Sequence, residues 1–222
     1  SVFKPGKAPV ADLDRTETTD SAQQRKLALL RDLDRQVIEQ AGRQDSLESA
    51  IANYELAFRM QTAVPELTDI SSETKATQEL YGLFAEYEPT RIYGRNCLIA
   101  RRLIERGVRF VQLYSGGGHL EETWDAHESV EKNHGRHGGE IDQPIAALLG
   151  DLEFRGLLDT TLIVWGGEFG RMPFSEGVNK PGRNHNPYGF TTWFAGAGVK
   201  GGTAYGATDE FGFAAVEDRV HV

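Results

Sequence analysis

Val108-Arg109-Phe110-Val111-Gln112-Leu113-Tyr114 is a short apolar run, bounded by Gly107 on one side and by Ser115-Gly116-Gly117-Gly118 on the other. A run of that length between glycines reads as a buried strand. Downstream, Ile141, Ile145, Leu148 and Leu152 recur at helical spacing, in a helix expected to start near Asp142 and Pro144 and to stop at Gly156. Thr161-Leu162-Ile163-Val164-Trp165 then repeats the strand pattern. Strand, helix, strand with these lengths is a βαβ unit, which requires parallel strands and a right-handed crossover. The expected fold class is therefore α/β, a mainly parallel sheet flanked by helices. A third strand over 190–195 follows with no helix in the gap, so it can return antiparallel, and the Gly-rich tail reads as a hairpin or loops.

Upstream the pattern is helical. Leu27, Leu30, Leu33, Val37 and Ile38 form an apolar stripe over 21–41, closed by Gly42. Leu47, Ile51, Tyr54 and Phe58 form another, which begins near Asp45 and runs until Pro65 ends it nearby. These two helices are expected to pack as a hairpin through Leu30, Tyr54 and Phe58, since each stripe needs cover. A third helix over 91–106 presents Ile92, Leu98, Ile99 and Leu103. Residues 1–107 thus read as a helical segment packing on an α/β core over 108–222.

The 222 residues carry 24 basic and 33 acidic side chains, a net charge of −9. That balance gives no general electrostatic reason to bind nucleic acid or an anionic membrane. No apolar run approaches the roughly 20 residues that span a bilayer. The single cysteine, Cys97, has no internal disulfide partner. Cys97-Leu98-Ile99-Ala100-Arg101 has the Cys and Arg spacing of the sulfatase signature but lacks its proline and falls inside a predicted helix, so Cys97 reads as a core thiol.

All six histidines lie beyond Gly107. In open α/β sheets ligands bind beyond the carboxyl ends of parallel strands, which directs attention to the loops after Tyr114 and Trp165. The first loop carries His119 and then Trp124-Asp125-Ala126-His127, with His134 and His137 further on. The second carries Gly166-Gly167-Glu168-Phe169-Gly170-Arg171. An antiparallel third strand would bring Gly182-Arg183-Asn184-His185 to the same edge. Asp125, His127, Glu168 and His185 are then expected to converge as ligands of a divalent metal. Its identity stays open among zinc, manganese, iron, magnesium and calcium. Side chains two positions apart share a face only in an extended segment, so Asp125 and His127 require a loop or strand. Arg171 and Arg183 are the candidate readers of a sulfate or phosphate, because a guanidinium offers two parallel hydrogen bonds.

The strings Trp124-Asp125-Ala126-His127, Gly156-Leu157-Leu158-Asp159-Thr160 through Glu168-Phe169-Gly170-Arg171, and Gly182-Arg183-Asn184-His185 resemble the bacterial domain-of-unknown-function family 1501. Its members are often labelled sulfatase-like and are grouped with the alkaline-phosphatase-like superfamily. The resemblance extends through Pro65-Glu66-Leu67-Thr68-Asp69 and through Tyr205-Gly206-Ala207-Thr208-Asp209-Glu210, and so covers most of the chain. It implies a partial alkaline-phosphatase-like sheet with metal at its carboxyl edge. The implied activity is hydrolysis of a small-molecule or polysaccharide sulfate or phosphate ester, in an exported or periplasmic setting. It also implies that residues precede Ser1 and follow Val222, the nucleophile being among the former, so no nucleophile is assigned and turnover by this chain alone is expected to be low. The alternative is a non-catalytic exported binding or structural module that keeps the fold.

Overall fold

A computed structural model of the chain describes residues 19–42, 45–116, 123–179 and 181–220. They divide into two compact units, one running to Ser72 and the other beginning at Glu73. No helix among the described residues is long and apolar enough to cross a membrane.

The first unit holds helices α1 (Asp20–Ala41) and α2 (Asp45–Thr68). Thr19 caps α1 by accepting the Ala22 N–H at 3.2 Å, and Gly42 ends it at φ 75°, where a side chain would be strained. Asp45 and Glu48 place negative charge in the first turn of α2, where the exposed N–H groups favour it. Pro65 does not end α2. Proline removes only its own N–H from the ladder, and Thr68 adds a bond of its own, Oγ1 donating to the Val64 carbonyl at 2.9 Å. Gln23 of α1 donates its side-chain amide to the Gln61 side chain of α2, which ties the pair. The expected contact of Leu30 with Tyr54 and Phe58 lies outside the described side chains; Leu30, Leu33 and Val37 are exposed.

The second unit is built on α4 (Glu88–Glu105) packed against α5 (Val130–Phe154), with the short α3 (Lys75–Leu80) beside α5. Its core is Tyr81, Cys97, Leu98, Ile99, Ala100, Ile141, Ala147, Leu148 and Leu152. Gly94 lets the Tyr81 carbonyl approach α4: a Cβ there would sit 1.9 Å from that oxygen. A buried ion cluster joins the helices. Arg101 meets Glu73 at 2.7 Å, Glu105 at 2.6 Å and Asp151 at 2.9 Å, while Arg155 meets Asp151 and Glu105. Helix α5 starts well before Pro144. Its core-facing positions include the polar residues Asn133, His137 and Glu140, which continue the helical spacing with the wrong residue type and so hide the first turns. Each has a polar partner in place: His137 Nδ1 lies 3.1 Å from Glu140, and the Asn133 side-chain amide donates to the Thr123 carbonyl at 2.9 Å.

The parallel, alkaline-phosphatase-like sheet is overturned. Among the described residues the strands form three antiparallel pairs: β1 (Ile163–Trp165) with β4 (Trp193–Ala195), β2 (Gly170–Arg171) with β3 (His185–Asn186), and β5 (Ala207–Thr208) with β6 (Ala215–Glu217). The run 108–114 forms no strand. An apolar run becomes a strand only where a neighbour completes its ladder and covers its side chains. Here Phe110 is 79% and Tyr114 69% exposed, so neither condition holds. The α/β class therefore gives way to a helical body carrying small antiparallel hairpins. The return of the third strand antiparallel to 161–165 agrees with the sequence pattern, in the register Ile163↔Ala195, Val164↔Phe194 and Trp165↔Trp193.

Candidate metal centre

The β2–β3 ladder sets Arg171 directly across from His185. Beyond it the pairing continues through backbone bonds, Met172 N–H to the Asn184 carbonyl at 2.8 Å and Glu176 N–H to the Gly182 carbonyl at 3.0 Å. Segment 124–130 lies against the returning arm, where Arg183 N–H donates to the Ala126 carbonyl and Val130 N–H to that of Pro181. Gly182 makes this approach possible, because a Cβ there would stand 1.8 Å from the His127 carbonyl oxygen. Two tight turns, Ala126 N–H to Trp124 O and His127 N–H to Asp125 O at 3.0 Å each, hold the Asp-x-His segment out of helix. Asn186 anchors β3 from behind, fully buried and donating to the carbonyls of Gly212 and Phe213.

Three side chains meet at one point. His185 Nε2 lies 2.8 Å and His127 Nε2 3.1 Å from Asp125 Oδ1, and the two ring nitrogens are 3.1 Å apart. All three offer ligand atoms within 4.8 Å of one another and are reachable from solvent, with side chains 30–40% exposed. Atoms bound at about 2.0–2.1 Å to a tetrahedral zinc stand roughly 3.3 Å apart, so the spacing suits one small divalent ion. The orientation suits it as well. His127 Nδ1 faces Glu176 Oε2 at 2.8 Å, and a carboxylate only accepts, so Nδ1 carries the proton. In the neutral ring this turns the Nε2 lone pair toward the Asp125 oxygen, an arrangement that needs a cation or a further proton between them.

Arg171 holds Asp125 in place. Its Nη2 donates to Asp125 Oδ1 at 2.8 Å and to the Trp124 carbonyl at 2.9 Å, and its Nη1 to the Arg183 carbonyl at 3.0 Å. Burial pushes the Asp125 carboxyl up, but hydrogen bonds from His185 and Arg171, with the charge of Arg171, outweigh it and hold the group at about 2. Phe169 stacks on the His185 ring at 4.1 Å and fixes its plane.

The structure thus brings Asp125, His127, His185 and Arg171 together, with Arg183 alongside through its backbone and a 3.3 Å contact from Nη1 to the Met172 carbonyl. Glu168 is exposed and stands outside the cluster. His134 and His137 pack around the Trp124 ring, at 5.5 and 5.3 Å, and His119 lies outside the described residues. Sequence reasoning missed Glu176 and Phe169. Phe169 adjoins Arg171 within the strand–turn–strand pattern and could have been found by register, whereas Glu176 reaches His127 from a loop that no spacing rule connects to it.

The chain belongs to the family described as protein of unknown function (DUF1501), whose family model matches residues 1–222. No curated protein and no solved structure matches it.

Proposed function

We propose that this protein binds one divalent metal through Asp125, His127 and His185 and uses the site to bind and activate a sulfate or phosphate ester for hydrolysis. The observation that carries the reading is the convergence of two imidazole nitrogens and one carboxylate oxygen, with the His127 lone pair turned inward by Glu176. When bound, such an ion supplies Lewis-acid polarisation of an ester oxygen. The protein's own groups divide the remaining work. Glu176 fixes the His127 ring and Arg171 fixes the Asp125 carboxylate, since the Arg171 fork is already engaged by three acceptors. Arg183, half-buried on the same hairpin, is the cation for the ester oxyanion.

The reading is tested by elemental analysis after equilibration with Zn²⁺ or Mn²⁺. Uptake near one equivalent is expected, lost in His127→Ala and in His185→Ala. Calorimetric titration with 4-nitrophenyl sulfate and 4-nitrophenyl phosphate should then show binding that requires the metal and weakens in Arg183→Ala. Absence of metal uptake by the folded wild-type chain would remove the proposal.

A further inference from the structure

All three tryptophans of the chain, Trp124, Trp165 and Trp193, line a single cleft of about 430 Å³. Trp165 and Trp193 are cross-strand partners in the β1–β4 ladder, so both rings stand on one face of that pair, with centroids 6.2 Å apart and planes 12° from parallel. Trp124 meets Trp165 edge-on at 6.4 Å. The opposite wall is α5, whose Ile141, Ile145 and Leu149 recur every fourth residue, and the exposed Asp142 carboxylate stands at the rim. None of the three indoles is buried, so each keeps part of its surface open to the cleft.

We propose that this cleft is a subsite for a sugar ring. A pyranose has C–H faces that pack flat on an indole and hydroxyls around its edge that need acceptors. Nearly parallel tryptophans with a carboxylate at the lip supply both. A sugar hydroxyl can donate to the Asp142 carboxylate, a bond that an acyl chain or a bare aryl ring cannot make. The volume lies within the roughly 300–1,000 Å³ usual for small-molecule sites. The cleft and the metal centre share one residue, Trp124. Trp124 lines the cleft with its ring while its carbonyl accepts from Arg171, and the next residue is Asp125. Together with the function proposed above, on which this last step rests, the ester is a sulfated or phosphorylated carbohydrate, with its sugar on the tryptophans and its anion at Asp125, His127 and His185.

Because every tryptophan lines the cleft, intrinsic fluorescence reports its occupancy directly. The full chain is titrated with neutral cello-, malto- and galacto-oligosaccharides in the presence of EDTA, so that the metal reading does not enter. At least one series should give a saturable change with millimolar affinity, weakened roughly tenfold in Asp142→Asn and lost in Trp193→Ala. The response should persist in His185→Ala, which separates failure of the metal centre from failure of the subsite. Asp142 is exposed, so its variant keeps the test readable should Trp193→Ala not fold. No saturable response to any series, a response only to 4-nitrophenol or octanol, or full sugar affinity in Asp142→Asn and Trp193→Ala would each overturn the proposal.

Discussion

Arg101 and Arg171 each use a guanidinium fork to join segments far apart in sequence, yet they do so in opposite surroundings. Arg101 is 3% exposed between α4, α5 and Glu73, and it touches three carboxylates. Arg171 sits in a two-residue strand and touches one carboxylate and two carbonyls. The helical region fixes its geometry by burial, with ion pairs closing the remaining gaps. The hairpin region buries little and is fixed by side chains that bond the backbone of neighbouring loops. A binding site belongs in the second kind of region, since open positions and reachable nitrogens require incomplete burial.

The comparison breaks most visibly at Arg101. Arg101→Met leaves Glu73, Glu105 and Asp151 without their shared cation in a dry setting, and removing one partner of a buried pair costs about 3–5 kcal/mol. Arg155 stays beside Glu105 and Asp151, and Arg102 stays beside Glu73 at 3.0 Å, which softens the loss. Urea unfolding should show a midpoint well below wild type. An unchanged midpoint would mean that the cluster contributes nothing beyond the packing of α4 on α5.

Gly182→Ala is the matching test in the hairpin region. A Cβ placed 1.8 Å from the His127 carbonyl must push segment 124–130 away, and forced overpacking costs about 1–3 kcal/mol. The displacement falls on the segment that carries Asp125 and His127. Metal uptake should therefore be lost while the α4–α5 core still unfolds cooperatively, as read by elemental analysis and circular dichroism. Retained uptake at wild-type affinity would show that the close approach is dispensable.

How much of this was legible follows the same division. The helices α1, α2 and α4 were readable from the spacing of their apolar residues; in α4 that stripe is a buried one, with Leu98 and Ile99 in the core, whereas Leu30, Leu33 and Val37 of α1 keep the spacing and stay exposed. The first turns of α5 were hidden because Asn133, His137 and Glu140 occupy core positions with polar partners that only the folded chain supplies. The parallel sheet was misread for a related reason. An apolar run such as 108–114 states that burial would be favourable, but whether a ladder partner exists is a nonlocal fact. At the site, Asp125, His127 and His185 could be nominated by ligand chemistry, and the antiparallel return that brings His185 back could be reasoned from the missing crossover helix. Glu168 was nominated by the same chemistry, yet the turn into β2 leaves it exposed, and Glu176 supplies the second carboxylate from an unforeseen loop.

Glu176 gives a finer test, one that separates holding a ligand from holding the fold. Glu176→Ala removes the acceptor on His127 Nδ1 and frees the ring to turn or change tautomer. Loss of such a supporting partner weakens metal affinity about 10–100-fold. The Glu176 side chain is 40% exposed, so thermal stability of the metal-free protein should stay within about 0.5 kcal/mol of wild type. An affinity equal to wild type, measured by competition with a chromophoric chelator, would assign Glu176 to solvent rather than to the site.

The smallest expected effect is electrostatic and local, at Asp209. The backbone N–H of Phe213 holds its carboxylate below the usual range against the opposing effect of desolvation, and the N–H groups of Ala214 and Phe211 add to the lowering. The direction fixes the pH window. A carboxyl whose folded pKa is depressed contributes stability that is complete above its unfolded value, about 3.9, and is lost as pH falls through the lower folded value. The turn between β5 and β6 should therefore loosen below about pH 4 while remaining unchanged from pH 5 to 8. Amide exchange protection at Phe213 and Ala214, corrected for the intrinsic rate, should fall across that acid window in the wild type. In Asp209→Ala it should be low throughout, because the acceptor is missing at every pH. A carboxyl titration for Asp209 at or above the ordinary aspartate value, followed by carbon-detected magnetic resonance, would show that these three N–H groups do not bind the charged form, and the hairpin would then owe its shape to the β5–β6 ladder alone.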